Sequence, residues 1–92
     1  EDLGRYYALT SDLSVINLRI SSCGPIDKAG PGRAQANWSS YRDIQQLTVK
    51  IIEAPVDLKF DIFWATSDNR KLFRDNAHAK KVLGYAPQDG VR

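Results

Sequence analysis

Ser22 and Cys23 close the first apolar stretch of the sequence, and Arg33 stands further on among Gly30, Pro31 and Gly32. These side chains have the types and places that could do chemistry. Open α/β sheets bind ligands outside the carboxyl ends of their strands, so a strand-end hydroxyl can hydrogen-bond a ligand carboxylate or hydroxyl. The alternative for Ser22 is a serine that only terminates a strand. A planar guanidinium suits two-point binding of a carboxylate. The alternative for Arg33 is a solvated loop cation. Trp38 could stack on a sugar or cover the start of a helix, and we read it as cover. Cys23 is the only cysteine and has no recognisable base beside it, so it reads as a packed thiol. His78, between two alanines and close to Lys80 and Lys81, reads as a surface residue. No group of His, Cys and carboxylates has metal-ligand spacing, and no metal is expected.

The elements that must hold these residues follow from periodicity. Leu3, Tyr6 and Tyr7 recur at helical spacing, so a helix is expected to run to about Thr10–Asp12 with that face inward. Leu13 to Ile20 is short, apolar and rich in β-branched residues, as in a strand buried on both faces of a parallel sheet. Residues 21–37 carry Gly24, Pro25, Gly30, Pro31 and Gly32 and read as a long loop, long enough to be functional. Ser40 to Asp43 matches a capping box opening a helix. Ile44, Leu47, Ile51 and Ile52 form the apolar face of that helix, and Pro55 stops it near Ala54. Lys59 to Ala65 reads as a second strand. Ser67-Asp68-Asn69 is a turn. A last helix is expected over about Leu72 to Leu83, with Ala79, Val82 and Leu83 inward and Gly84 ending it.

A strand, a crossover helix and a second strand imply a parallel pair. Two strands do not make an independently stable sheet. Val15, Ile16, Phe60, Ile62 and Trp64 are expected to be underburied in this chain alone. The fold class is therefore α/β: two parallel strands with flanking helices, the C-terminal portion of a larger doubly wound parallel-sheet protein. Residues 1–92 form one segment with no internal boundary.

Composition narrows the function further. The net charge is +2, with basic residues scattered among acids, which gives no strong argument for nucleic acid or a membrane surface, and neither is expected as a partner. Arg70, Lys71, Arg74, Lys80 and Lys81 read as a solvated face. No apolar run approaches the roughly 18 residues of a membrane span. A single cysteine allows no disulfide within the chain, which suits a reducing, cytoplasmic setting.

Four segments in order resemble the NAD-dependent epimerase/dehydratase family of extended short-chain dehydrogenases, uronate dehydrogenases above all. Glu1 to Ala8 is similar to the helix after that family's Tyr-x-x-x-Lys pair. Leu18-Arg19-Ile20-Ser21-Ser22 is similar to a Leu-Arg-Ile-Gly-Ser strand end. Trp38-Ser39-Ser40 with Asp43 is similar to a Trp-Leu-Ser-x-x-Asp helix opening. Ser67-Asp68-Asn69, Asp75-Asn76 and Leu83-Gly84-Tyr85-Ala86-Pro87-Gln88-Asp89 are similar to the family's tail. Ser21 stands where the family has Gly, which puts a side chain next to the nicotinamide side.

The resemblance implies a Rossmann-like parent that uses NAD or NADP. Such a parent takes a hydride from C1 of a cyclic hexuronic acid or similar sugar and leaves a lactone. It implies that Ser22 contacts the sugar acid, that Arg33 holds its carboxylate, and that the backbone at Ile20 and Cys23 faces the nicotinamide. The family's Tyr and Lys are expected just upstream of Glu1. Gly24, Gly30 and Gly32 do not form G-x-G-x-x-G between a strand and a helix, so this chain alone is expected to bind no cofactor and to be inactive. Two rivals stand beside this reading. One is sugar-nucleotide epimerisation in the same family. The other is a non-catalytic domain that self-associates through a sheet edge or apolar faces.

Overall fold

The computed structural model describes residues 1–20, 22–24, 26–30, 34–69 and 76–91. Its elements run α1 (Asp2–Thr10), β1 (Val15–Ile20), α2 (Ala34–Asn37), α3 (Tyr41–Ile52), β2 (Phe60–Ala65) and α4 (Ala77–Leu83). β1 and β2 pair in parallel, from Val15 opposite Phe60 to Ile20 opposite Ala65. The expected strand pair and α3 are thus in place. The first strand begins at Val15, two residues later than its composition suggests.

The alternation of the strands sorts side chains to two faces. Ile16, Leu18, Phe63 and Ala65 join Leu47 of α3, Ala79 of α4 and Tyr85 in the core. Phe63 and Leu47 are fully buried, each contributing about 1.5–3 kcal/mol by the area it removes from water. The other face carries Phe60 and Trp64, over which the Arg5 and Arg19 guanidinium groups lie at 5.0 and 5.2 Å. Helix α1 covers that face. Helices therefore lie on both sides of the strand pair, as the near-continuous apolar strands demand.

Each helix end has a local cause. Ser11 stops α1, its N–H and hydroxyl both donating to the Tyr7 carbonyl. Ser40 caps α3, its hydroxyl accepting from the Asp43 N–H at 3.2 Å. Asp27 adds an acceptor that spacing did not reveal, taking the Tyr41 N–H at 2.8 Å. Gly84 ends α4 at φ 71, in the left-handed region that glycine enters without strain.

Several expectations are corrected. Leu3, Tyr6 and Tyr7 are exposed, and α1 buries only Ala8. The helix lies on the strands along its Gly4 and Ala8 side, where small residues permit close approach. Ile52 and Val82 are exposed as well, while Leu83 packs against the core. The 21–37 loop contains α2 in its last turn. Cys23 is exposed, since β1 has already ended before it. Of the last helix, residues 72–75 lie outside the described residues.

Candidate functional site at the carboxyl edge

Beyond Ile20 and Ala65 the two strands part, and a third segment enters between them. Ser22 and Trp38 form an isolated parallel bridge, with the Ser39 N–H donating to the Ser22 carbonyl at 2.9 Å. On the other side the Ser67 N–H donates to the Trp38 carbonyl at 3.0 Å, and Asn69 Nδ2 donates to the same oxygen at 2.9 Å. The Ser39 hydroxyl donates to the Ala65 carbonyl. Ser22, Trp38–Ser40 and Thr66–Asn69 thus lie side by side at the edge where ligands bind in such sheets.

This edge is polar and dry. Ser39, Ser40, Asp43, Thr66, Ser67, Asn69 and Asn76 are all buried. A buried polar group is costly unless it is hydrogen-bonded, and most of these have partners; the Thr66 hydroxyl has none among the described residues. Asp43 accepts from the Gln88 N–H at 2.7 Å, from the Ser67 hydroxyl at 2.6 Å and from the Asp89 N–H at 3.1 Å. The Ser67 hydroxyl also accepts the Ser40 N–H at 3.0 Å. Tyr85 donates its hydroxyl to the Thr66 carbonyl at 2.9 Å, and burial first of all pushes its phenol well above the usual range. Gly90 lies so close to the Asp68 carbonyl that a Cβ there would overlap it. Outside the buried cluster, Arg42 makes a two-point ion pair with Asp89 at 2.7 Å and holds its carboxyl below the usual range.

The predicted site residues fall on this edge to different degrees. Ser22 is half-buried within the bridge. Ile20 and Cys23 are exposed on either side of it. The loop that leads on to Arg33 is fastened to α3 by Asp27 and by the Tyr41 hydroxyl, which donates to the Gly24 carbonyl at 2.7 Å. Arg33 itself lies outside the described residues. Trp38 uses its backbone to join Ser22 to Ser67, a role richer than the expected cover. His78 is exposed, but its ring stacks on Phe63 and its Nε2 lies 2.8 Å from Asp61 Oδ1. Sequence reasoning overlooked Asp43, Ser67 and Asn69 as one unit. The signal was present: the Trp38–Asp43, Ser67–Asn69 and Leu83–Asp89 motifs meet at this point.

Among the described residues no group of His, Cys, Asp and Glu could hold a metal ion. No helix among them is long and apolar enough to cross a membrane. Ile20 stands exposed at the same edge. The sequence holds no G-x-G-x-x-G fingerprint of the kind that cradles a dinucleotide pyrophosphate.

No family model matches the chain. It is 42% identical over 93 residues to the NAD-dependent glucose-6-phosphate dehydrogenase of Haloferax volcanii, covering 97% of this chain and 34% of that protein. It is 33% identical over 89 residues to the uronate dehydrogenase of Pseudomonas putida, covering 97% of this chain and 32% of that protein. Among solved structures it matches the glucuronic acid dehydrogenase of Chromohalobacter salexigens with a TM-score of 0.84 at 32% identity, over 97% of this chain and 32% of that one. It matches a tyrosine variant of the uronate dehydrogenase of Agrobacterium tumefaciens, complexed with NAD, with a TM-score of 0.84 at 30% identity and the same coverage. The chain spans about a third of the length of the curated relatives it matches. In sequence and in fold the chain is similar to about a third of the length of these dehydrogenases.

Proposed function

We propose that this chain is the C-terminal, substrate-side part of an NAD-dependent sugar dehydrogenase of the extended short-chain type. The observation that carries the reading is the carboxyl edge. Ser22 is fixed between Trp38 and the end of β1, with Ile20 and Cys23 exposed beside it, in a fold that matches an NAD complex of a uronate dehydrogenase. Ser22 hydrogen-bonds the sugar, and Arg33 grips its carboxylate. The backbone at Ile20 and Cys23 lines the nicotinamide side. NAD, when bound to the parent, would supply the acceptor for a hydride from C1 of a cyclic hexuronic acid. The C1 hydroxyl proton passes to a tyrosine of the parent outside this chain, with a neighbouring lysine lowering its pKa. The product is a lactone. A reducing, cytoplasmic setting keeps Cys23 a free thiol.

The identity with a glucose-6-phosphate dehydrogenase favours a second reading, in which the sugar's anionic group is a phosphate. Arg33 suits either anion, since its fork matches carboxylate and phosphate alike. The test is made in the full-length parent, with a hexuronate, glucose 6-phosphate and neutral glucose as substrates. Arg33→Ala removes a charge-assisted pair of about 1.5–3 kcal/mol. kcat/KM for the preferred charged sugar should fall roughly ten- to hundred-fold. Arg33→Lys should recover only part, because the fork is lost. Equal losses on charged and neutral sugars would make Arg33 a loop-shaping residue. No loss on any would remove the anionic-sugar assignment.

A further inference from the structure

We propose that Asp43 is a positioning residue of the substrate site, holding Trp38–Ser40, and through it Ser22, in place against the sugar. The proposal rests on the dehydrogenase reading above. Asp43 stands in the first turn of α3 and is 0% exposed. A carboxyl group so far from water is expensive to bury unless donors surround it. Three do: the Ser67 hydroxyl and the N–H groups of Gln88 and Asp89. All three come from chain segments remote in sequence, so the carboxylate fixes where those segments meet.

The path from Asp43 to Ser22 is short and made of hydrogen bonds throughout. The Ser67 hydroxyl donates to Asp43 at 2.6 Å and accepts the Ser40 N–H at 3.0 Å. The Ser67 N–H holds the Trp38 carbonyl at 3.0 Å, and the Ser39 N–H holds the Ser22 carbonyl at 2.9 Å. Ser67 is fully buried, and its hydroxyl is held by Asp43 on one side and the Ser40 N–H on the other. A shift of the Ser67 side chain therefore displaces the segment that carries Ser22. The loop leading to Arg33 hangs from the same helix start through Asp27 and Tyr41. Asp43 touches neither sugar nor cofactor. Its effect is on the fit of the sugar, and the nicotinamide wall at Ile20 belongs to β1 and does not depend on it.

The test uses the full-length parent with Asp43→Asn and Ser67→Ala, assayed well below their melting temperatures. Asn keeps the shape but puts an NH2 group where an oxygen accepted, so a donor meets a donor. KM for the sugar should rise roughly ten-fold while KM for NAD stays within about two-fold, the mark of a misplaced sugar contact. If Asp43→Asn does not fold, Ser67→Ala decides. It leaves both backbone donors on the carboxylate and the Ser67 N–H on the Trp38 carbonyl, and cuts only the side-chain link between Asp43 and the Ser40 N–H. Variants that melt earlier but keep both KM values overturn the role, as do variants in which the two KM values rise together. A wild-type parent that oxidises no sugar with NAD overturns the function itself, and this role with it.

Discussion

Asp89 shows how one residue can report on the carboxyl edge. Its carboxylate takes both nitrogens of the Arg42 fork at 2.7 Å, while its backbone N–H is spent on Asp43. The Arg42 hydrogen bonds are the largest cause that lowers its pKa. A depressed carboxyl adds stability above its ordinary pKa, and that stability is lost as pH falls through the lowered value. Arg42→Gln should therefore move the Asp89 carboxyl titration upward toward the usual carboxylate range, read by NMR. An unchanged midpoint would show that the fork does not hold Asp89 in solution. The contrast with Asp43 is instructive. Ser40 and Asp43 fit a capping box by spacing, and Ser40 does cap. Asp43 gives its oxygens to Ser67, Gln88 and Asp89, while the Ser40 N–H turns to Ser67. Spacing reads contacts within one turn. It cannot read partners that arrive from the far end of the chain.

At the scale of elements, what was legible depended on how local the cause was. The β-branched run of Val15–Ile20 and the Phe60–Ala65 run could be read as strands because their neighbours cover both faces. Helix α3 could be read from Ser40, Leu47 and Pro55. The inward face of α1 could not, because Leu3, Tyr6 and Tyr7 have the right spacing but remain exposed, the described residues packing on the Ala8 side instead. The difference is measurable. Leu47 is 0% exposed within the cluster that includes Phe63, Ala65 and Ala79, so Leu47→Ala should cost about 2–5 kcal/mol by cavity formation. Leu3 is 67% exposed, so Leu3→Ala in the same chain should stay within about 0.5 kcal/mol of wild type. Denaturant unfolding of both variants compares them directly. A Leu3→Ala loss as large as that of Leu47→Ala would mean that α1 buries its apolar face after all.

For the whole molecule the relevant quantity is surface. The chain exposes 6176 Å², whereas a compact monomer of 10.3 kDa exposes about 5,400 Å². Its radius of gyration is 13.8 Å, against about 12 Å for a compact chain of this length. Val15, Ile16, Phe60, Ile62 and Trp64 are only half-buried, and the buried apolar residues include three alanines. The chain alone should therefore be weakly stable and should associate. Leu3, Tyr6 and Tyr7 of α1 are far short of the roughly 800 Å² per partner that a stable interface buries. An unpaired strand edge adds backbone donors and acceptors but little apolar area. The result should be a loose, concentration-dependent association. Binding that favours the folded state raises its apparent stability, so the melting temperature of the chain should climb with protein concentration, in step with the mass seen by sedimentation. A sharp melt of a strict monomer, independent of concentration, would overturn this. It would mean that the core around Leu47 and Phe63, with the polar clasp at Asp43, suffices to hold two strands as a domain of their own.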